Sequence, residues 1–165
     1  MVNKVDVIIV GGGLIGLATA LKILKARPKT RLILIEKELS IARHQSGNNS
    51  GVIHSGLYYR PGSLKAINCR RGYEQMLDFC QQEDISHEVC GKVVVATTES
   101  EVPMLKELRA RGMANGLSGL RYLEPNEINE IEPHCSGVKG LFVPQTGIVN
   151  YLDVAKVFAT KLREM

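Results

Sequence analysis

The strongest constraint on this chain is an apolar run that ends in a glycine-rich turn, Val5-Asp6-Val7-Ile8-Ile9-Val10-Gly11-Gly12-Gly13-Leu14-Ile15-Gly16. A second apolar run, from Arg31 to Glu36, ends in an acid twenty residues after the last of these glycines. Between the two runs, Leu14 to about Ala26 has a helical pattern that stops before Pro28. Strand, glycine turn, helix, strand and acid follow one another in the order of a dinucleotide-binding βαβ unit.

Each glycine of the turn has its own predicted task. Gly11 permits the tight turn out of the first strand, Gly13 lets the backbone approach a pyrophosphate, and Gly16 lets the helix pack closely on the sheet. The pyrophosphate is expected at the helix N-terminus, against the free N–H groups of Leu14 and Ile15, where the helix dipole also favours an anion. A glycine turn that binds no nucleotide is the alternative.

The acid at the end of the second strand predicts which nucleotide fits. Glu36 can accept hydrogen bonds from the two hydroxyls of an adenosine ribose. A carboxylate there repels a 2′-phosphate, which argues against NADP.

A long polar loop follows the second strand. Residues Lys37 to Gly62 have neither helical nor strand periodicity, and a loop of this length in a compact domain is usually functional or disordered. Its small hydrogen-bonding side chains would form a second wall around a pyrophosphate if the loop returned to the glycine turn; they are Ser46, Asn48, Asn49 and Ser50. The alternative is a solvent loop in which Ser, Asn and Gly only make turns.

The remaining patterns predict an α/β fold: a Rossmann-like nucleotide-binding βαβ domain, followed by the beginning of a mixed α+β domain. The predicted elements are a helix from Ser63 to Gln82, a strand within Val89–Ala96, a helix capped at Thr98 and ending at Asn115, strands at Leu120–Leu123 and Gly140–Val143 around a helical turn at Pro125–Ile131, and a helix from Tyr151. We place the nucleotide-binding portion at residues 1–98, including the 37–62 loop, and the start of a substrate or cap region at 99–165. A doubly wound domain needs more than two parallel strands, so we expect an incomplete chain.

Composition narrows the function classes. A net charge of +4 without long basic runs, together with no Trp and few aromatic residues, argues against a nucleic-acid partner. The four cysteines have neither CxxC nor zinc-ligand spacing, so we predict no metal and free thiols in a reducing, cytoplasmic compartment. The apolar stretch from Val7 to Leu21 is shorter than the ~20 residues of a membrane span. Any membrane contact would therefore be peripheral.

Four motifs together resemble one family. They are GGGLIG, HQSGNNSGVIHSGLYYRPGSLKA, CGKVVVAT and EPHCSGVKGLFVPQTGIVNY. The chain is similar over essentially all of its residues, in order, to the L-2-hydroxyglutarate dehydrogenase/oxidase family, in the D-amino-acid-oxidase-like group of FAD-dependent oxidoreductases. It departs from the family pattern at Asn48, where the family often has His.

The resemblance implies a cofactor and a reaction. FAD would be bound by the ADP-binding glycines, by Glu36 with its neighbour Lys37, and by the loop Ser46–Ser50, with His44 as a flavin or phosphate contact. The reaction would oxidise the 2-hydroxyl of L-2-hydroxyglutarate to 2-oxoglutarate, with hydride passing to the flavin N5. The electrons would continue to oxygen or to a quinone-linked acceptor.

A 2-hydroxy diacid needs partners for two carboxylates and a base for its hydroxyl proton. His54 has the right chemistry for the base, and Tyr58, Tyr59 and Arg60 are the candidate substrate-binding residues. For His54 the alternative is a ring that hydrogen-bonds only backbone, and for Arg60 it is a solvated side chain.

Two other functions remain open at this point. One is another flavoprotein of the same fold, an amino-acid oxidase or a glycerol-3-phosphate dehydrogenase. The other is an inactive, truncated FAD-binding module, and we expect residues 1–165 alone to bind FAD weakly or not at all and not to oxidise the diacid.

Overall fold

The computed structural model describes residues 4–165. Within this range the elements are β1 Val7–Val10, α1 Leu14–Ala26, β2 Leu32–Ile35, β3 Val52–Ile53, α2 Leu64–Gln82, β4 His87–Glu88, β5 Lys92–Ala96, α3 Val102–Ala114, β6 Arg121–Leu123, α4 Pro125–Ile131, β7 Lys139–Val143, β8 Gly147–Val149 and α5 Tyr151–Arg163. They form two compact units. The first unit is Met1–Gly51, Glu83–Ile85 and Asn150–Met165, and the second unit is Val52–Gln82 and Ser86–Val149.

The first unit contains the predicted βαβ arrangement. Strands β1 and β2 are parallel, in a register that pairs Val7 with Leu32 and Val10 with Ile35, and α1 connects them. Successive strand residues point to opposite faces of the sheet. One face packs under α1, and the other exposes the apolar side chains of Ile8, Val10, Ile33 and Ile35. The βαβ prediction is therefore confirmed, with both strands shorter than the apolar runs.

Helix α5 also belongs to the first unit. Its Ala155 and Ala159 are buried in one cluster with Leu17 of α1, and their small side chains allow the two helices to approach closely. An ion pair at 2.8 Å joins Lys161 of α5 to Glu83. Helix α5 therefore lies in the same compact unit as α1, while the division into domains at residues 98 and 99 stays a prediction.

The second unit carries two three-stranded antiparallel sheets. One has the order β3-β8-β4 and the other β5-β7-β6. The second of these sheets and α3 enclose a core that includes Leu57, Leu105, Leu141 and Val143. This mixed α+β part agrees with the predicted fold class. Strands β3, β4 and β8 were not predicted, because β3 and β4 have only two residues each and β8 begins at a glycine, so none of them shows a recognisable alternation.

The ends of α3 follow the sequence signals. Thr98 forms a capping box with Glu101, whose carboxylate also accepts the Thr97 N–H at 2.7 Å, and a short 3₁₀ turn then leads into α3. At the other end, Asn115 is the C-cap and Gly116 has a φ of +82°, a left-handed conformation that glycine adopts readily. The same end of α3 makes hydrogen bonds to the segment Gly56–Tyr59, which contains the predicted substrate residues Tyr58 and Tyr59.

Two properties concern the whole of residues 4–165. No helix in this range is long and apolar enough to cross a membrane. In the same range no group of three or more His, Cys, Asp or Glu side chains is placed to hold a metal ion. All four cysteines are free thiols.

Candidate cofactor and substrate sites

The glycine turn of the first unit leaves no room for a side chain at Gly16. Gly11 has a φ of +109°, and its N–H donates to the Ile35 carbonyl at 2.7 Å, which ties the turn to the end of β2. A Cβ at Gly16 would lie 2.0 Å from the Gly11 carbonyl oxygen and 3.4 Å from Ile9. Helix α1 therefore starts against the strand and the turn, as close helix–sheet packing requires.

Gly13 is different, because its backbone does not require glycine. It is the N-cap of α1, with φ −82° and ψ 177°, an extended conformation open to any residue. An added Cβ would lie 2.9 Å from the Ser46 hydroxyl oxygen. The same hydroxyl accepts the Leu14 N–H at 2.9 Å. A side chain at Gly13 would therefore occupy the space beside the first N–H groups of α1. This is the space in which an anion is favoured.

Glu36 is fixed at this turn by two backbone N–H groups. Its carboxylate accepts the Glu38 N–H at 3.0 Å and the Gly12 N–H at 2.6 Å. These bonds, first that from Glu38 and then that from Gly12, hold the pKa of Glu36 below its usual value, although partial burial opposes them. The ionised carboxylate has about four lone-pair sites. Those that remain can accept ribose hydroxyls.

The loop after β2 returns to the glycine turn within the first unit. The Ala42 N–H donates to the Gly12 carbonyl at 3.1 Å, and Ser46 contacts Leu14 as described above. The 37–62 segment is not structureless throughout, since Val52 and Ile53 form β3 in the second unit.

The side chains of Asn48 and Asn49 form hydrogen bonds to the backbone of their own loop. The Asn48 amide donates to the carbonyls of Arg43 and His44, and the Asn49 amide donates to those of Gln45 and Ser46, all at 2.9–3.0 Å. The NH₂ groups of both side chains are therefore used within the loop. The side-chain oxygen of Asn49 already accepts the Gly51 N–H, so the side-chain oxygen of Asn48 is the one left to meet a ligand.

Three other predicted cofactor residues lie on the exposed surface of this unit. Glu38 accepts from the His44 ring at 3.0 Å and lies 3.6 Å from the Lys37 ammonium. Ser50 is exposed. The structure thus gathers Gly11, Gly13, Gly16, Glu36 and Ser46 around the start of α1, with Leu14 and Ile15 at its first turn, and leaves Lys37, His44 and Ser50 peripheral.

The second unit has a recess of about 110 Å³ at the predicted substrate residues. Its lining consists of His54, Ser55, Gly56, Leu57, Tyr58, Tyr59 and Lys92. Of the predicted substrate contacts, Tyr58 and Tyr59 line the recess, whereas Arg60 is exposed and does not. The recess therefore gathers one candidate base, two phenol rings and one cation.

Buried polar bonds fix the inner wall of the recess. The hydroxyls of Ser55 and Thr146 lie 3.3 Å apart and are almost completely buried. The Thr146 carbonyl accepts the Gly91 N–H at 2.8 Å, immediately before Lys92. On the other side, the Cys69 thiol donates to the His54 carbonyl at 3.3 Å. Through these bonds, the backbone segments that carry His54 and Lys92 are held in fixed positions on the two sides of the recess.

The C-terminal end of α3 holds the outer wall. The Asn115 amide donates to the carbonyls of Gly56 and Tyr59 at 2.9 and 2.8 Å, and Arg111 donates to the Tyr58 carbonyl at 3.0 Å. From the sequence, Asn115 was predicted only as a helix end. Its second role could not be recognised, because it depends on contacts with residues more than fifty positions away.

Lys92 is the site residue that the sequence analysis missed. Its ammonium lies over the Tyr58 ring, 4.3 Å from the centroid. Burial lowers the pKa of Lys92, and the neighbouring Cys69 opposes this shift. Burial, and after it the charge of Lys92, lowers the pKa of His54. The available signal was a single charge at the head of an otherwise apolar strand.

The imidazole of His54 has no hydrogen-bond partner among residues 4–165; the bond at this residue is made by its backbone carbonyl. With its pKa lowered, the ring is neutral at neutral pH. A neutral imidazole with an accessible nitrogen can take a proton from a bound hydroxyl.

The buried hydroxyl pair yields a stability prediction. Thr146→Val keeps the shape of the side chain but leaves the Ser55 hydroxyl buried without its partner, so we expect a loss of ~1–3 kcal/mol in the free energy of unfolding. The double variant Ser55→Ala/Thr146→Val should lose less than the sum of the two single variants, because no polar group is then stranded. Denaturant titration of all three variants measures this. Strictly additive losses would show that the hydroxyls do not interact.

Comparison with known proteins identifies the family. Residues 6–165 match the family described as DAO, FAD dependent oxidoreductase. The chain is 54% identical over 158 residues to an L-2-hydroxyglutarate dehydrogenase of Indibacter alkaliphilus, covering 96% of this chain and 40% of that protein. It is 45% identical over 162 residues to the mitochondrial L-2-hydroxyglutarate dehydrogenase of Homo sapiens, covering 98% of this chain and 35% of that protein.

Solved structures agree on the fold. The L-alpha-glycerophosphate oxidase from Mycoplasma pneumoniae, dithionite reduced and with FAD bound, has a TM-score of 0.85 at 30% identity, covering 96% of this chain and 42% of that one. Glycine oxidase from Geobacillus kaustophilus has a TM-score of 0.83 at 24% identity, covering 96% and 44%.

The chain thus spans about two fifths of the length of the relatives that it matches. At the level of the family, the resemblance inferred from the four motifs is confirmed. The chain belongs to the DAO family of FAD-dependent oxidoreductases.

Proposed function

We propose that this chain is part of an FAD-dependent enzyme that oxidises L-2-hydroxyglutarate to 2-oxoglutarate. The observation that carries the cofactor assignment is the space at Gly13, where a backbone open to any residue lies beside the first helical N–H groups and the Ser46 hydroxyl. The substrate assignment is supported by the names of relatives at 54% and 45% identity. The proposal concerns the whole protein, of which this chain provides two candidate sites.

The residues of the first unit fit the ADP half of FAD. The first turn of α1 would bind the pyrophosphate with the N–H groups of Leu14 and Ile15, while Glu36 would accept the ribose hydroxyls. Ser46 can rotate its hydroxyl toward a phosphate oxygen, and Asn48 and Asn49 keep its loop in place. When bound, the flavin supplies the redox chemistry by accepting a hydride.

In the second unit, His54 would act as the base. Its neutral imidazole would accept the proton of the substrate 2-hydroxyl as the C–H bond at that carbon is broken. Tyr58 and Tyr59 would contact the bound substrate from the recess. Arg60, which lies on the exposed surface beside them, would reach a carboxylate outside the recess.

The electron acceptor and the cellular location belong to the same proposal. We propose a quinone-linked acceptor or oxygen, and a cytoplasmic protein whose membrane contact, where it exists, is peripheral. Turnover with a soluble quinone analogue in the presence and absence of oxygen distinguishes the two acceptors. Sedimentation with liposomes tests the membrane contact.

Glu36→Ala should weaken FAD binding by about 10- to 100-fold, the scale for removing a charged hydrogen-bond acceptor. Glu36→Gln should lose less, because an amide oxygen can still accept the Gly12 N–H. Flavin fluorescence titration of the apoprotein gives the dissociation constants. Glu107→Ala, a carboxylate change on the exposed face of α3, is the matched control. An unchanged dissociation constant in Glu36→Ala would mean that the carboxylate does not meet the ribose.

A substrate panel tests the reaction. The protein at the length of its relatives should reduce an artificial dye with L-2-hydroxyglutarate and not with glycine or the D-enantiomer. Glycerol 3-phosphate is the second candidate substrate, because the L-alpha-glycerophosphate oxidase has a TM-score of 0.85 and 30% identity to this chain. Faster turnover with glycerol 3-phosphate than with the diacid would replace our assignment by that one.

A further inference from the structure

We infer that Lys92 binds a carboxylate of the substrate, and that this is the carboxylate attached to the reacting carbon. The inference rests on the proposed oxidation of a 2-hydroxy acid and adds to it the cation that receives the acid group. Neither the names of the relatives nor the sequence motifs assign a task to this lysine.

The charge of Lys92 has no counter-ion in residues 4–165. Other lysines at comparable depth are paired: Lys139 with Glu124, and Lys161 with Glu83. Lys92 forms none of the ion pairs of the described chain, and its ammonium instead lies over the Tyr58 ring. A partly buried cation without a counter-ion is unfavourable. A bound anion would relieve that cost.

The recess decides which end of the substrate enters. Its volume of about 110 Å³ is well below the roughly 300–1,000 Å³ of a pocket that holds a whole small ligand, so these residues enclose one end of a five-carbon diacid rather than the whole molecule. The end with the hydroxyl must reach His54. Because the hydroxyl and the first carboxylate share that end, the carboxylate meets the cation that lines the recess, Lys92.

The position of Lys92 is fixed before any ligand arrives. Gly91 has a φ of +78°, its N–H is bonded to Thr146, and a Cβ there would lie 2.7 Å from the Phe142 ring. The backbone at the head of β5 is therefore held on both sides. The contact with the Tyr58 ring directs the ammonium without using a strong acceptor, which leaves N–H donors for a carboxylate.

The test compares Lys92→Met with Lys92→Arg in the FAD-loaded protein at the length of its relatives. Met keeps the length and the apolar stem of the side chain. We expect Lys92→Met to raise KM for L-2-hydroxyglutarate by about 10- to 100-fold with a smaller change in kcat, and Lys92→Arg to recover most of the loss, because a charged hydrogen bond is removed and then restored. Lys106→Met, an exposed lysine of α3, is the matched control and should behave as wild type.

Two inhibitors test which carboxylate is bound. The inhibition constants of 2-oxoglutarate and of the monoacid 2-oxobutyrate should rise by the same factor in Lys92→Met. Both compounds carry the carboxylate next to the reacting carbon. A loss confined to 2-oxoglutarate would place Lys92 on the distal carboxylate and overturn the assignment. Unchanged KM and inhibition constants, with normal flavin content, would overturn the role altogether.

The failure of this inference is distinguishable from that of the proposed function. A wild-type protein that binds FAD but does not oxidise L-2-hydroxyglutarate contradicts the proposed function. A wild-type protein that oxidises it, together with an equally active Lys92→Met variant, contradicts only the role of Lys92.

Discussion

In the FAD-loaded protein at the length of its relatives, we expect His54→Asn to slow the reduction of the bound flavin by L-2-hydroxyglutarate by ~100-fold or more, while the flavin content stays that of wild type. The magnitude is the low end for removing a general base. Asn is close to His in size and polar, so the recess and its inner wall are preserved. The bond from the Cys69 thiol is kept as well, because it goes to the backbone carbonyl of residue 54. Stopped-flow absorbance under anaerobic conditions measures the rate.

The pH dependence provides a second readout of the same residue. A base acts in its neutral form, so activity is lost as the pH falls through the pKa of His54. Burial and the charge of Lys92 lower this pKa, which puts the acidic limb of kcat/KM below the usual histidine range. His134→Asn, at an exposed histidine of the same unit, should change neither the rate nor the limb. A His54→Asn rate within a few-fold of wild type, with the limb intact, would leave His54 with a structural role only.

In the same longer protein, we expect Gly13→Val to abolish the retention of FAD through purification, with affinity reduced roughly a hundredfold or more. The branched side chain would occupy the space beside the Ser46 hydroxyl and the first helical N–H groups. The extended backbone at Gly13 suits valine, so the variant is expected to fold. The ratio of flavin to protein absorbance and the circular dichroism spectrum check both statements.

Two glycines give the controls for this substitution. Gly72 lies within α2 with nothing within 4 Å of an added Cβ, so Gly72→Val should retain FAD. Gly16→Ala would bring its Cβ to 2.0 Å from a backbone carbonyl, so its FAD loss should accompany a loss of stability. A folded Gly13→Val protein with full flavin content would show that the pyrophosphate is not bound at this turn.

The sequence of elements in the first unit, strand, glycine turn, helix and strand, could be predicted because each is signalled by residues close together in the chain. The apolar runs, the glycines at fixed spacing and Glu36 each act on their neighbours or through a conformation that only certain residues adopt. The packing of α5 on α1 was not predictable in the same way, since an amphipathic helix does not specify its partner. The domain boundary at residue 98 was placed by chain order, whereas the compact units follow contacts between distant residues.

The candidate substrate recess was only partly predictable. Its loop residues were recognised as a group because they are consecutive, from His54 to Tyr59. Lys92 comes from a strand almost forty residues later, and the bonds from Asn115 and Arg111 come from a helix end later still. This convergence depends on Thr146, which contacts Ser55 through its hydroxyl and accepts the N–H of the residue before Lys92, and such long-range bonds leave no pattern in the sequence.

Anaerobic addition of L-2-hydroxyglutarate to the FAD-loaded protein, at the length of its relatives, is the most direct test of the proposed function. We predict that the oxidised flavin spectrum bleaches and that one 2-oxoglutarate forms for each flavin reduced. Glycine and glycerol 3-phosphate at the same concentration should leave the spectrum unchanged. A flavin that stays oxidised with L-2-hydroxyglutarate, or that is reduced faster by either of the other two compounds, would contradict the assignment.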